Sequence, residues 1–217
     1  MRGAGDERAK RPDPPAQRGQ PRRDGPDAWS TPPALSAALC RHVLPELPAG
    51  PVWEPAVGDG RLAAAMRRAG RHVITSDLYP QDRSAPIDFL RDPPPVGTAG
   101  MITITNPPFN QTDAFLARGL DLFDRGHTRG LVLLMRHDHL QAGGRVEVLN
   151  RSTFELHCCW RPVWIVGSTG NPRWSFHWIT WTAGPRRAPL YVMSPDAQQR
   201  RRPNRIEAAL QSLKEEF

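Results

Sequence analysis

From Val52 onward the chain alternates short apolar runs with helical patterns, and this alternation limits its architecture more than any other property of the sequence. Val52-Trp53-Glu54 predicts a strand, and a glycine turn leads from it into a helix from Arg61 to about Ala69, closed by Gly70. His72 to Ser76 predicts a second strand. Met101 to Thr105 is short and β-branched, as a buried parallel strand would be. A helix over Thr112 to Phe123 turns Phe115, Leu116, Leu120 and Phe123 inward, and Leu131 to Met135 predicts a further apolar strand. A helix from about Gly144 to Leu149 follows. Such alternation builds a parallel sheet with helices on its faces.

The two ends of this pattern differ from its middle. Upstream, Ser30-Thr31-Pro32-Pro33 sets a capping hydroxyl before proline in a first helical turn. The helix runs from about Pro33 to Val43, with Leu35, Leu39 and Val43 on one face and Pro45 and Pro48 as its stop. Downstream, Phe154 to Val166 and Phe176 to Thr182 are aromatic-rich strands joined by the turn residues Gly167 to Pro172, which reads as a long hairpin. The expected fold is therefore α/β, a doubly wound, mostly parallel sheet with an antiparallel hairpin at one edge. Residues 1–28 read as a disordered tail, 29–195 as the folded domain, and 196–217 as a basic tail with a short helix from about Arg205.

Composition adds a weaker constraint. The net charge of +7 points to a polyanionic partner. However, of 29 basic residues only Lys10 and Lys214 are lysines, a bias that a GC-rich genome produces without selection for binding. Three cysteines, Cys40, Cys158 and Cys159, lack metal spacing and suit a reducing compartment. Neither a secretory signal nor a membrane-length apolar run is present, so the expectation is a cytoplasmic protein without a membrane partner.

Three motifs carry chemistry. The first, Glu54-Pro55-Ala56-Val57-Gly58-Asp59-Gly60, follows a strand and opens a helix, where glycines let the backbone approach a ligand. It lacks the Gly-Lys-Ser/Thr ending of a phosphate loop, and its acids suit a cation. Asp77 comes about twenty residues later at the end of a strand, where an acid accepts hydrogen bonds from ribose hydroxyls. Asp88-Phe89 follows a third short strand, with a turn cap as the plain alternative for Asp88. The decisive motif is Asn106-Pro107-Pro108-Phe109, directly after the Ile102–Thr105 run. An amino group conjugated to a ring is a poor nucleophile, because its lone pair is delocalised. Two acceptors aimed at its hydrogens, the Asn106 side-chain oxygen and the Pro107 carbonyl, would draw the nitrogen towards sp³ geometry. The prolines stiffen this backbone, and Phe109 offers a face for a substrate ring.

These residues resemble the class I S-adenosyl-L-methionine-dependent methyltransferases, with a Rossmann-like fold. The glycine loop is similar to their motif I, and Asn106-Pro107-Pro108-Phe109 to motif IV of the amino-methyltransferases. Trp29-Ser30-Thr31-Pro32-Pro33 is similar to motif X, which implies that Thr31 contacts the methionine part of the cofactor. The resemblance implies cofactor contacts from Glu54, Pro55, Gly58, Gly60, Asp77, Asp88 and Phe89, the last two clasping the adenine ring. The order X, I, IV resembles γ-type DNA adenine-N6 methyltransferases of the small prophage type. It implies methylation of adenine N6 in DNA, with a flipped base held by Phe109, Trp164 and Trp174. Little chain remains for target recognition, so a separate specificity or restriction partner is an open expectation. Methylation of RNA adenine N6 or protein glutamine N5 shares the tetrapeptide, and an inactive nucleic-acid-binding module is a third reading. Trp178 and Trp181 read as core or sheet edge. Arg136-His137-Asp138-His139 reads as site rim or helix cap, with no metal expected, because two histidines at i, i+2 share no helical face.

Overall fold

The computed structural model describes residues 29–80, 84–140, 154–159, 162, 174–183 and 190–192. Both expected tails, the 144–149 helix, the whole 167–172 link and Trp164 lie outside these residues. The strands are β1 (Val52–Glu54), β2 (Val73–Asp77), β3 (Ala85–Pro86), β4 (Met101–Thr105), β5 (Thr128–Arg136), β6 (Glu155–Cys158), β7 (Phe176–Thr182) and β8 (Leu190–Val192). The helices are α1 (Pro33–Ala38), α2 (Arg61–Arg68), α3 (Thr112–Asp124) and α4 (His137–Leu140).

One sheet runs in the order β3-β2-β1-β4-β5-β7-β6-β8. The pairs β2–β3, β1–β2, β1–β4 and β4–β5 are parallel, whereas β7 is antiparallel to both β5 and β6. The expected doubly wound sheet with an antiparallel hairpin is present. β7 sits inside it, and β8, which the sequence pattern did not suggest, pairs parallel to β6 beyond the hairpin.

The period of two along each strand divides the core between the two faces. Val132 and Leu134 of β5, Ile102 and Ile104 of β4 and Trp178 of β7 pack with the Leu35, Leu39 and Val43 stripe and with Leu62 and Met66 of α2. Leu131, Leu133 and Met135 of β5 and Ile179 and Trp181 of β7 face Leu116 and Leu120 of α3. Trp178 and Trp181 are fully buried, which makes them core. α3 comes close to the sheet because residue 119 is glycine: a Cβ there would lie 2.6 Å from a Leu131 methyl.

The first helix departs from its expected form. An α-helical start gives way to a π-helical turn over Leu39–Val43 and a 3₁₀ turn over Leu44–Glu46, so Pro45 continues the helical path instead of ending it. Proline is tolerated there because the first turn of a new helical segment leaves its N–H position unbonded. The turn ends at Leu47, which is extended. The Arg71 guanidinium then collects the carbonyls of Leu44, Leu47, Pro48 and Gly50 at 2.8–3.4 Å, satisfying groups that the helix end leaves open. The expected hydroxyl cap is also absent: Pro32 occupies the cap position without a side-chain bond, and the Ser30 and Thr31 hydroxyls face elsewhere.

Candidate active site

Strand order reverses between β1 and β4, and the crevice beyond the carboxyl ends of strands at such a point is where doubly wound sheets bind ligands. A cleft of about 800 Å³ opens there. Its walls come from Trp29–Thr31, the loop after β1, the ends of β2 and β3, and the segment after β4. Of the residues singled out in the sequence, Thr31, Glu54, Pro55, Gly58, Asp77, Asp88, Phe89, Asn106, Pro107 and Pro108 line it.

Gly58 and Gly60 have φ of +53° and +77°, the left-handed region in which a side chain is strained. Gly58 forms part of the wall, whereas Gly60 stands behind it at the start of α2. The loop is tied to β2 by the Gly58 N–H, which donates to Asp77 Oδ2 at 2.9 Å. Asp77 Oδ1 accepts the Tyr79 N–H at 2.8 Å. Each carboxylate oxygen can accept more than one bond, so Asp77 keeps acceptor capacity for a ligand.

Glu54 is buried, and its Oε2 has no hydrogen-bond partner among the described residues. Burial pushes its carboxyl well above the usual carboxylate range. The Arg67 charge opposes the rise, and Asp59 and Asp77 add to it. The folded protein therefore keeps a proton on Glu54 over a pH window in which the unfolded chain has lost it. That contribution to stability is complete below the ordinary glutamate range and is lost as pH rises through the raised value. Replacing Glu54 with the neutral isostere Gln should remove this loss, so E54Q unfolds at higher denaturant than wild type at the alkaline end of a titration from about pH 4 to 9. Parallel curves for the two proteins over the whole range would contradict the assignment.

Asn106, buried, has the most determined side chain in the cleft. Its Nδ2 donates to the Trp29 carbonyl at 3.0 Å and to Thr31 Oγ1 at 3.2 Å. A carbonyl can only accept, so the amide is fixed with nitrogen towards the N-terminal segment. Its Oδ1 is buried without a partner among the described residues. The amide oxygen is thus a preset acceptor, without a donor among the described residues, on a residue of the cleft wall.

The softer candidates divide. Phe89 is buried and stacks on Phe115 at 4.8 Å between ring centroids, and its residue is part of the wall. Asp88 Oδ1 accepts the Leu90 N–H at 2.9 Å, so it serves as a turn cap as well as a cleft residue. Phe109 is set back from the cleft, stacked on Trp29 at 6.0 Å and tilted against Phe176 at 5.6 Å. Trp174 is half exposed beneath the Arg136 guanidinium, 3.9 Å from the ring centroid, and does not line the cleft. Arg136 also pairs with Asp138. His137 begins α4 and its Nδ1 lies 2.8 Å from His177 Nε2. Burial, with the nearby His137, lowers the His177 pKa to about 4. Among the described residues no group of three His, Cys, Asp or Glu side chains is placed to hold a metal, and no helix is long and apolar enough to cross a membrane.

The sequence reading missed Leu78 and Tyr79, exposed by 48% and 66% on the cleft rim. Their signal was there, since two large apolar side chains directly after a strand-ending acid have no core to enter.

No family model matches the chain, and no curated protein matches it. Solved structures do. A human methyltransferase 10 domain containing protein aligns with 68% of this chain and 77% of its own, at 9% identity and a TM-score of 0.46. The methyltransferase subunit of a type I restriction-modification system from Streptococcus thermophilus aligns with 87% of this chain at 14% identity and a TM-score of 0.52. The chain covers 53% of that subunit, about half its length. Together with the strand order, this likeness makes the fold a Rossmann-like class I methyltransferase fold.

Proposed function

We propose that this chain transfers a methyl group from S-adenosyl-L-methionine to the exocyclic N6 amino group of adenine in DNA, in the cytoplasm. The observation that carries the reading is the Asn106 amide, whose nitrogen is engaged by Trp29 and Thr31 while its buried oxygen has no donor among the described residues.

The residues present fit the cofactor. Glu54, whose buried oxygen has no partner among the described residues, suits a ligand ammonium group, whose charge would favour the ionised carboxyl, and Asp77 suits a diol. Three aspartates (Asp59, Asp77 and Asp88) line the cleft in a chain of net charge +7, which disfavours a phosphate-bearing cofactor there. S-adenosyl-L-methionine, when bound, supplies a methyl group activated by a sulfonium. Glu54, Asp77, Asp88 and Phe89 bind and orient it. Asn106 Oδ1 and the Pro107 carbonyl accept the two amino hydrogens of the substrate and localise the nitrogen lone pair. Alignment supplies much of the remaining acceleration, so no charged base is required. An adenine inside a duplex must be extruded to reach this cleft; Phe109 and Trp174, which stand outside the cleft lining, and Trp164 are the aromatic faces this reading offers it. A separate specificity or restriction partner that supplies target recognition belongs to the same reading.

The test offers labelled cofactor with DNA, RNA and protein separately, and sequences DNA for N6-methyladenine. Label entering only RNA or protein glutamine moves the substrate and keeps the chemistry; label entering nothing removes the enzyme reading and leaves a binding module. Asp77→Ala should weaken cofactor binding by roughly 1.5–3 kcal/mol, since hydrogen bonds to a charged group are lost. Unchanged affinity in calorimetric titration would take Asp77 out of the site.

A further inference from the structure

The Ser30-Thr31 hydroxyls are spent on something other than a helix cap. The segment Trp29–Thr31 bridges the two halves of the cleft. The Ser30 hydroxyl donates to Asp59 in the glycine loop, the Trp29 ring stacks on Phe109, and both the Trp29 carbonyl and Thr31 Oγ1 accept hydrogen bonds from Asn106 Nδ2. Thr31 is 5% exposed and Asn106 9%, so water does not readily replace either partner. An amide held by one bond still pivots about its terminal torsion, which is broad. Two bonds to the same nitrogen, from acceptors on neighbouring residues, fix both its rotation and the direction of the opposite oxygen.

Resting on the function proposed above, we infer that Thr31 is a positioning residue: its hydroxyl locks the Asn106 amide so that Oδ1 points at the substrate amino group. This differs from a cofactor contact, because the hydroxyl oxygen acts on Asn106, and Asn106 acts on the substrate. Val is nearly isosteric with Thr but lacks the acceptor, so Thr31→Val leaves one Nδ2 hydrogen buried and unbonded and frees the oxygen to swing. Ser keeps the acceptor.

The experiment combines steady-state kinetics with side-chain amide NMR on the full chain, assigning the Asn106 amide by its absence in Asn106→Ala. For T31V, kcat should fall about tenfold or more, as expected for one lost buried hydrogen bond. KM and the cofactor dissociation constant should stay within about twofold, because uniform binding is untouched. T31S should restore the rate. In an Asn106→Ala background, T31V should cost nothing further, since a residue acting through Asn106 has nothing left to act on. The Asn106 Nδ2 protons should exchange with solvent faster in T31V than in wild type. A rise in cofactor dissociation constant with unmoved amide protons overturns the inference and gives Thr31 to the cofactor. Additive losses in the double variant overturn it too. Should T31V fail to fold, T31A carries the same outcomes. If wild-type protein transfers no methyl group, the function proposed above fails and the exchange measurement alone decides: faster exchange in T31V upholds the lock, and equal exchange removes it.

Discussion

Asn106→Ala should reduce turnover by a factor of about 10²–10³ while leaving cofactor affinity close to that of wild type. The factor corresponds to roughly 3–4 kcal/mol, the scale of losing one preorganised hydrogen bond to a transition state. The reason lies in timing. The amino nitrogen has little need of acceptors while its lone pair is spread over the ring, and most need as charge develops on it. The bond from substrate to Oδ1 therefore strengthens along the reaction, and its loss appears in kcat more than in KM. Pro107 is unaltered by the substitution, so a second acceptor remains and activity is not abolished. Phe109, set back against Trp29 and Phe176, also stays in place. Single-turnover transfer of labelled methyl to DNA, compared with calorimetric cofactor titration, separates the two effects. Full turnover in the variant would remove Asn106 from the chemistry even if the methyltransferase reading stands.

Trp178→Ala should have the largest effect on stability, a loss of about 3–5 kcal/mol. The indole is fully buried at the centre of β7, between β5 and β6, and packs against the first helix. Its Nε1–H also donates to the Leu35 carbonyl at 3.0 Å, joining helix to sheet across the core. In a domain of this size the melting temperature should fall by on the order of 10 °C in a thermal melt. Trp178→Phe separates packing from hydrogen bonding. It keeps most of the apolar volume, and the Leu35 carbonyl still receives the Leu39 N–H, so the cost should be nearer 1 kcal/mol. Equal losses for Ala and Phe would mean that the hydrogen bond, rather than the filled volume, holds the helix.

β1, β2 and β4 were legible because each is short, with glycine, proline or an acid at or close to its ends. The positions after β1, β2 and β4 were legible for the same reason, since the ligand crevice of such a sheet lies where those strands end. The failures have local causes. Ser30-Thr31-Pro32 carries a capping signature, but a cap competes with any other acceptor or donor within reach. Here the partner of Thr31 lies 75 residues further along the chain, and nothing local announces it. Pro45 looked like a stop because a single helix type was assumed, whereas a change to π and then 3₁₀ turns absorbed it. Phe109 was read from its neighbours in sequence as a free stacking face, but Trp29 and Phe176 reach it from far away in the chain. The His137–His177 contact joins residues from two strand ends, and a pattern search along one segment has no access to it. Leu78 and Tyr79 belong to none of the motifs and were not singled out, although apolar side chains at a strand's carboxyl end are what a flat ligand ring would pack on.

The place of β7 also governs how the chain comes together in time. β1 to β5 join in consecutive crossovers, and the strand ends that carry Glu54, Asp77, Asp88 and Asn106 all belong to that first block. β6 is made next but has nothing to bond to: both its neighbours, β7 and β8, come later in the chain. Until β7 arrives, β5 presents an open edge of nine residues with the apolar run Leu131–Met135 in it, the kind of edge that invites pairing with another chain. Closing it requires Phe176 to return to Arg136 across a long connection, a slow step because of the entropy of closing the loop. The half of the protein that holds the cleft is thus assembled early and protected late, and a newly made chain is most exposed to aggregation in the interval before its last strands dock.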